Sequence, residues 1–120
     1  MLSLPLPVRI FLCTQHADMR RGFDGLAQMV RDFLGADPLS GHLFVFRSRR
    51  GDRLKLLYWD EDGFALWYKR LEQGTFRFPP ATGDLSSVEV RAADLTMLLD
   101  GVDLSSIKRR KRYRRPAAAP

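Results

Sequence analysis

The sequence contains a single cysteine, Cys13, which excludes an internal disulfide and any zinc site built from several cysteines. Its two histidines, His16 and His42, fit none of the close spacings that pairs of metal-binding histidines have. No apolar run approaches the roughly 20 residues that a membrane helix needs, and the N-terminus lacks the pattern of a secretion signal. These absences predict a soluble, cytoplasmic protein with no membrane partner.

Catalytic signatures are also missing from the chain. It has no serine-containing elbow, no glycine loop for a phosphate and no dinucleotide fingerprint. One acidic triplet, Asp60, Glu61 and Asp62, suggests the divalent-cation site of a metal-dependent nuclease. Consecutive residues point in different directions, however, so a hairpin turn is the simpler interpretation. The sequence therefore predicts no enzyme, no cofactor, no metal site and no small-molecule substrate.

Basic residues are unevenly distributed along the chain, whose formal net charge is +6. Seven of the 20 lysines and arginines lie in residues 108–115, which leaves 13 basic and 14 acidic residues before position 108. A second cluster, residues 47–55 with the sequence RSRRGDRLK, contains five cations and one acid. Clustered cations favour attraction to phosphate over a general effect on solubility.

A change of hydrophobic period marks one helix in the first third of the chain. Residues 8–14 are apolar and partly β-branched, which is typical of a strand. From residue 18 to residue 34 apolar side chains recur at three- and four-residue steps, which predicts an amphipathic helix with Asp18 as N-cap and Gly35 as end signal. Gly22 and Gly25 imply either an irregular first turn or a close approach of the helix to a sheet, and the second is favoured.

Residues 39–79 alternate apolar and polar side chains between turn signals, which predicts a β-meander. The expected strands are residues 42–47, 53–59, 64–70 and 75–78. A glycine turn is expected within RRGD at 49–52, and an Asp-Gly turn with positive φ at 62–63. One face is expected to carry leucines and aromatics, Leu54 and Leu56 among them, under the helix. The other face is expected to carry Arg53, Lys55, Trp67, Lys69 and Arg77.

The resulting prediction is an α+β fold. It consists of a small antiparallel β-meander sheet with one long helix packed on one face, a short C-terminal helix and a disordered basic tail. The short helix is expected at residues 92–100, ended by Gly101 and preceded by a short strand at 86–90. Residues 1–104 form a single domain in this prediction, whereas residues 105–120 have too few apolar side chains to pack and are expected to be disordered alone.

Cations on an exposed sheet face allow two interpretations. They keep the sheet soluble and prevent edge pairing. Interleaved with Tyr58, Trp59 and Trp67, they also fit a nucleic-acid surface on which cations contact phosphates and aromatic rings stack on bases. The basic tail favours the second interpretation, although a charge run can also be only a solubilising end.

Three segments of the chain resemble a known family. They read DMRRGFDGLAQMV from residue 18, DPLSGHLFVFRSRRGDRLKLLYWDEDGFALWYKRLEQGTFRFP from residue 37, and LTMLLDGVDL from residue 95. In this order they are similar to the small accessory protein called TnpB or Orf2, which is encoded beside the transposase in bacterial insertion sequences of the IS66 type. The segment TQHADMR departs from the family pattern, which has a small or glycine-containing turn before Asp18.

The resemblance implies a non-catalytic accessory protein for DNA transposition that acts alongside a separate transposase. Its expected partners are DNA at the element ends, the transposase and other accessory proteins of the same element. The alternative is a protein-interaction adaptor that docks the transposase without significant DNA affinity. The candidate DNA contacts in the domain are Arg47, Arg49, Arg50, Arg53, Lys55, Lys69 and Arg77. Those in the tail, which rest on charge alone, are Lys108, Arg109, Arg110, Lys111, Arg112, Arg114 and Arg115.

Overall fold

Five strands and two helices make up the part of the chain that the computed structural model describes, which is residues 8–81, 83 and 85–105. In chain order they are β1 (Ile10–Cys13), α1 (Phe23–Asp32), β2 (Leu43–Arg47), β3 (Arg53–Asp60), β4 (Gly63–Arg70), β5 (Ser87–Val90) and α2 (Ala92–Leu99). The strands form one sheet in the order β4-β3-β2-β1-β5. No helix within the described ranges is long and apolar enough to cross a membrane.

The sheet is mixed, so the predicted antiparallel meander is wrong for the sheet as a whole. β2, β3 and β4 do follow one another as antiparallel neighbours, but β1 lies parallel to β2, with Ile10 beside Leu43. A parallel pair needs a crossover of about a dozen residues or more, and the segment that contains α1 supplies it. β5 pairs antiparallel with the other side of β1, with Glu89 beside Phe11. The meander is thus three strands of a five-stranded sheet.

The two helices lie on opposite faces of the sheet, and each covers its own hydrophobic cluster. Under α1 the sheet contributes Phe44, Phe46 and Leu57. On the α2 side it contributes Val45, Leu54 and Leu56. Full burial of one such Leu or Phe stabilises the fold by roughly 1.5–3 kcal/mol. The prediction of one apolar face beneath the first helix and one charged face is therefore wrong, because β3 is apolar on both sides and both sides are covered.

The helix α1 is shorter than the predicted helix over residues 18–34. It begins at Phe23, with Gly22 as N-cap, and it ends at Asp32 before Gly35 turns the chain with a φ of +61°. Asp18 does not cap it, because its carboxylate accepts the N–H of Arg20 at 2.9 Å in a separate turn. A Cβ on Gly25 would meet the side chain of Arg21 at 3.0 Å rather than the sheet. The irregular first turn was therefore the correct alternative.

Residues 75–78 run beside the β2–β3 turn without forming a strand, so the predicted fourth meander strand is wrong. The alternation that suggested it is nevertheless real. Phe76 and Phe78 are buried in the α2-side cluster, whereas Thr75 and Arg77 are exposed. The segment is held by its backbone, since the N–H of Phe76 donates to the carbonyl of Gly51 at 2.7 Å.

The β3–β4 hairpin closes through Glu61 and Asp62, because Asp60 is the last residue of β3 to pair and its partner is Gly63. The turn was predicted at Asp62 and Gly63, with a positive φ, but it lies one position earlier in the chain. Glu61 has a φ of +54°, and Gly63 is not among the residues with positive φ. A side chain in this region is strained, and the first central position of such a turn favours glycine.

Replacing Glu61 with glycine is expected to raise the free energy of unfolding by up to about 1 kcal/mol. The substitution relieves the left-handed strain, and the greater freedom of glycine in the unfolded chain offsets part of the gain. Urea unfolding followed by circular dichroism measures it. The control is Gly63→Ala, which should change stability little, because no described residue other than its two chain neighbours has an atom within 4 Å of the added Cβ. A Glu61→Gly variant that is less stable than the wild type would refute the inference that Glu61 is strained.

Candidate nucleic-acid interface

The turn between β2 and β3 carries the centre of the cationic cluster. The N–H of Gly51 donates to the carbonyl of Ser48 at 2.9 Å, which closes a four-residue turn. The N–H of Ser48 donates to the carbonyl of Arg53 at 3.0 Å, and the Ser48 hydroxyl accepts the N–H of Arg53 at 3.1 Å. Together with the bond from Phe76 to Gly51, these contacts hold the turn to the strand ends and to the segment beside it.

Gly51 is required at this turn for two separate reasons. Its φ of +80° lies in the left-handed region, which side chains rarely adopt. A Cβ at this position would also lie 3.2 Å from the Cβ of Thr75, which is closer than ordinary van der Waals contact. The turn thus depends on glycine both for its backbone angles and for the close passage of the neighbouring segment.

The substitution Gly51→Ala is therefore expected to lower the free energy of unfolding by about 2 kcal/mol or more, as the sum of strain and overlap. Gly74→Ala is the matched control, because Gly74 has a similar φ of +82°, but no described residue other than its chain neighbours comes within 4 Å of an added Cβ. It should cost about 1 kcal/mol through strain alone. Thermal or urea unfolding measures both variants, and equal losses would show that the contact with Thr75 contributes nothing.

Arg49 and Arg50 occupy the two central positions of the turn, and both side chains are exposed. Neither guanidinium forms a hydrogen bond or an ion pair with another residue of the described chain. Each therefore presents its full set of N–H donors to solvent. The turn combines a fixed backbone with two unpartnered charges.

A cleft of about 680 Å³ opens between this turn, the loop before α1 and α1 itself. The arginines that line it are Arg21, Arg49, Arg50 and Arg53. Two of them are oriented by neighbours: Nη1 of Arg53 donates to the Tyr68 hydroxyl at 3.1 Å, and Nη1 of Arg21 donates to the carbonyl of Gly25 at 3.1 Å. Arginine keeps its charge at physiological pH, so one side of the cleft is cationic.

The carboxylates that line the same cleft are Asp18, Asp32 and Asp52. Asp18 forms an ion pair with Arg20 at 2.7 Å, and the hydrogen bonds from Arg20 lower the pKa of Asp18 to about 2. Asp32 accepts a bond from the amide of Gln28 at 2.7 Å, and Asp52 accepts one from the Ser48 hydroxyl at 3.3 Å. Each acid is thus engaged by a nearby donor, unlike the two arginines of the turn.

Lys55 is placed differently from the other cations of the cluster. Its side chain is buried, with 6% of the residue exposed, and its ammonium donates to the carbonyls of Met19 at 2.7 Å and Arg21 at 2.8 Å. The same ammonium lies 4.6 Å from the centre of the Tyr68 ring. Lys55 therefore holds the loop before α1 against the sheet, and it does not belong to the exposed cationic surface.

Arg47 is half-buried and is also engaged within the fold. Its Nη1 donates to the carbonyl of Phe76 at 3.1 Å, and its guanidinium lies 4.2 Å from the centre of the Phe78 ring. Burial lowers the pKa of Arg47, and the nearby charge of Arg77 lowers it further. Arg77 itself is exposed. Lys69 is exposed beside the end of α2, where its ammonium approaches the carbonyl of Leu99 at 3.4 Å.

The aromatic residues predicted to interleave with the cations are not grouped with the arginines of the turn, although Trp67 does share its face of the sheet with the exposed Lys69, two positions along β4, as predicted. Lys55 pairs with Tyr68 and Leu56 pairs with Trp67, so Lys55 and Trp67 lie on opposite faces of the sheet, contrary to the prediction. Trp59 packs edge-on against Phe64 at 5.1 Å between ring centres. None of the residues expected to stack on bases lines the cleft beside the turn.

Two further sets of predicted site residues have different outcomes. The tail residues Lys108, Arg109, Arg110, Lys111, Arg112, Arg114 and Arg115 lie outside the described residues. The acidic triplet at residues 60–62 forms the end of β3 and the hairpin turn. Within residues 8–81, 83 and 85–105, no three His, Cys, Asp or Glu side chains are grouped closely enough to hold a metal ion.

Comparison with known proteins identifies the chain's family. Residues 8–109 match the model of the family described as IS66 Orf2 like protein. The chain belongs to this family. Two relatives in Sinorhizobium fredii (strain NBRC 101917 / NGR234) are similar to it. Uncharacterized protein y4jC is 41% identical over 109 residues, which is 91% of each chain, and uncharacterized protein y4hO is 44% identical over 96 residues, or 80% of this chain and 82% of the relative. No solved structure matches significantly.

Membership of the IS66 Orf2-like family gives the protein an accessory role in the transposition of an insertion sequence. The family is not a known catalytic one. The match includes the whole β2–β3 turn and the cleft beside it, but it ends at residue 109, within the basic tail. The turn is therefore part of the family region, whereas most of the tail cations follow it.

Arg21 lines the cleft but was not among the DNA contacts predicted from the sequence. It lies in the first motif of the family resemblance, 28 positions before Arg49 in the chain. The loop that carries it approaches the β2–β3 turn because β1 runs parallel to β2 and because Lys55 holds the loop. Neither of these contacts is visible in a local sequence pattern, so only its positive charge could have marked Arg21 as a candidate DNA contact.

Proposed function

We propose that this IS66 Orf2-like protein binds DNA during assembly of a transposition complex, through the cationic surface formed by Arg49 and Arg50 with Arg21 and Arg53 beside them. This set of four arginines is called the turn surface below. The observation that carries the proposal is a pair of exposed guanidinium groups, without a partner among the described residues, at the centre of a turn with a fixed backbone. DNA at the element ends is the ligand, and the transposase is the protein partner at the same site of assembly.

The chemistry of the turn surface suits phosphate. Guanidinium groups bind phosphate oxygens through two parallel N–H donors, and these charge-assisted bonds are stronger than neutral ones. Because the hydrogen bonds of Ser48 and Gly51 already fix the turn, less conformational freedom is lost on binding. Phosphate contacts determine position and carry no sequence information directly, so the turn surface alone confers affinity without base preference.

Other candidate residues have secondary places in this proposal. Arg77 and Lys69 are exposed and add to the positive potential of the domain, while the tail cations add sequence-independent attraction. Arg47 and Lys55 are left out of the contact surface, because their donors serve the carbonyls of Phe76, Met19 and Arg21.

A second candidate function is an adaptor that docks the transposase and has no DNA affinity of its own. It is favoured by an apolar cleft between the sheet and α2, lined by Tyr58, Trp67 and Leu99, in which Trp67 remains 41% exposed. Exposed aromatic side chains of this kind are common where proteins meet.

Purification with the transposase, with and without nuclease treatment, separates the two functions. The DNA-binding function predicts that the isolated protein binds a short duplex and that nuclease treatment weakens co-purification. The adaptor function predicts that co-purification survives nuclease treatment while the isolated protein shows no affinity for DNA. Co-purification that survives nuclease treatment, together with an isolated protein that does not bind DNA, would refute the proposed role of the turn surface.

A further inference from the structure

The outer edge of β4 is the longest unpaired strand edge within the described residues. β4 has eight residues and ends the sheet on one side, whereas β5 has four and ends it on the other. The pairing of β4 with β3 is continuous from Gly63 to Arg70, without a bulge, and the strand contains no proline. Long, regular edges of this kind readily pair with another strand, and most proteins shorten, bend or charge them.

The backbone pattern shows which groups this edge presents. The N–H of Ser48, which follows β2, donates to the carbonyl of Arg53, the first residue of β3. The backbone N–H and C=O groups of Arg53 and of every second residue after it therefore point toward β2, and those of the residues between them point toward β4. The two-residue hairpin loop leads to the same alternation, because the backbone groups of Asp60 and Gly63, which flank the loop, point toward each other. The backbone groups of Phe64, Leu66, Tyr68 and Arg70 therefore point outward, where no described strand pairs with them.

Charge is distributed along this edge with opposite signs at its two ends. The hairpin before β4 carries Asp60, Glu61 and Asp62, and the end of β4 carries Lys69 and Arg70. All five residues are exposed. A parallel copy of the strand would bring like charges together, whereas an antiparallel copy brings each acidic end against a basic end.

We propose that two copies of this chain pair through β4, antiparallel across a twofold axis, to form one continuous ten-stranded sheet. With Leu66 on the axis, Phe64 of one copy lies opposite Tyr68 of the other, and the outward N–H of each donates to the carbonyl of its partner. Asp62 of one copy lies opposite Arg70 of the other. The contact is self-complementary, as a twofold interface requires. Arg70 already bonds Glu72 at 3.0 Å, but this ion pair is exposed and is therefore easily exchanged.

Amide hydrogen exchange of the full chain, followed residue by residue at low and high protein concentration, tests the pairing. The amides of Phe64, Leu66 and Tyr68 are expected to exchange at least tenfold more slowly at high concentration, when sedimentation shows twice the 13.8 kDa monomer mass. Those of Ala65 and Trp67, which bond β3, are protected at both concentrations. Outward amides that are protected at every concentration in a monomer would instead show that another segment of the same chain covers the edge, which would overturn the proposal.

Charge variants provide a second test that does not depend on DNA binding. Arg70→Glu is expected to weaken self-association about tenfold or more, because it places like charges opposite each other at two symmetry-related positions. The double variant Asp62→Arg with Arg70→Glu restores the attraction and the dimer. The matched control Arg31→Glu, an exposed residue on α1 with the same charge change, leaves association unchanged. A monomer at all accessible concentrations, or a double variant no better than Arg70→Glu, would overturn the pairing.

Discussion

Reversing the charges of Arg49 and Arg50 together is expected to abolish most of the DNA affinity of the protein while its fold survives. Both side chains are exposed and make no contact that the described fold depends on. Each phosphate contact contributes roughly a factor of ten to affinity near 0.1 M salt, so losing two contacts costs roughly a hundredfold. Fluorescence anisotropy with a labelled duplex measures the affinity, and circular dichroism measures the fold.

The single variants supply the controls for this prediction. Arg49→Glu and Arg50→Glu should each lose part of the affinity, whereas Arg31→Glu should lose little. Arg31 is exposed on α1 and carries the same charge, but it does not line the cleft beside the turn. Equal losses in all three variants would mean that net charge matters and the turn does not. A folded double variant with unchanged affinity would rule out the turn surface as the DNA contact.

Replacing Lys55 with methionine is expected to destabilise the protein without directly affecting DNA contact. Methionine fills a similar volume, but the carbonyls of Met19 and Arg21 lose a charged donor at 2.7 and 2.8 Å. Hydrogen bonds to charged groups contribute about 1.5–3 kcal/mol each, and the easier burial of methionine offsets part of this, so a loss of about 2–3 kcal/mol is expected. Urea unfolding monitored by tryptophan fluorescence measures the change.

Lys69→Met is the matched control for this prediction. Lys69 lies on the neighbouring strand but is exposed, and its contact with the Leu99 carbonyl is long, at 3.4 Å. Its substitution should change stability by less than about 0.5 kcal/mol. If Lys55→Met were as stable as this control and bound DNA more weakly, Lys55 would be a DNA contact and its structural role would be refuted.

Local features of the fold could be predicted from the sequence because they depend on neighbouring residues. The alternation in residues 53–59 and 64–70 correctly indicated β3 and β4, and the apolar pattern with Gly101 correctly indicated α2. Gly51 was correctly expected in a turn, since its φ is positive. The exposed position of Arg49 and Arg50 follows from the same turn and required no knowledge of the rest of the fold.

The features that depend on distant parts of the chain could not be predicted. The parallel pairing of β1 with β2 joins residues separated by the whole of α1, so the sheet was expected to be a simple meander. Lys55 looked like a surface cation because its partners, Met19 and Arg21, lie 36 and 34 positions away. For the same reason Leu54 and Leu56 were assigned to the wrong helix, since alternation identifies two faces but not what covers each of them.

A salt titration of DNA binding tests the central claim most directly, with the full chain compared with the Arg49→Glu, Arg50→Glu double variant and with residues 1–107. Each neutralised phosphate contributes about 0.9 to the log-log slope on duplex DNA. We predict that the double variant flattens the slope by about 2 units, and that residues 1–107 retain a substantial slope with an unchanged circular dichroism spectrum. If all affinity is lost with the tail and the double variant keeps the full slope, the folded domain does not bind DNA through the turn surface.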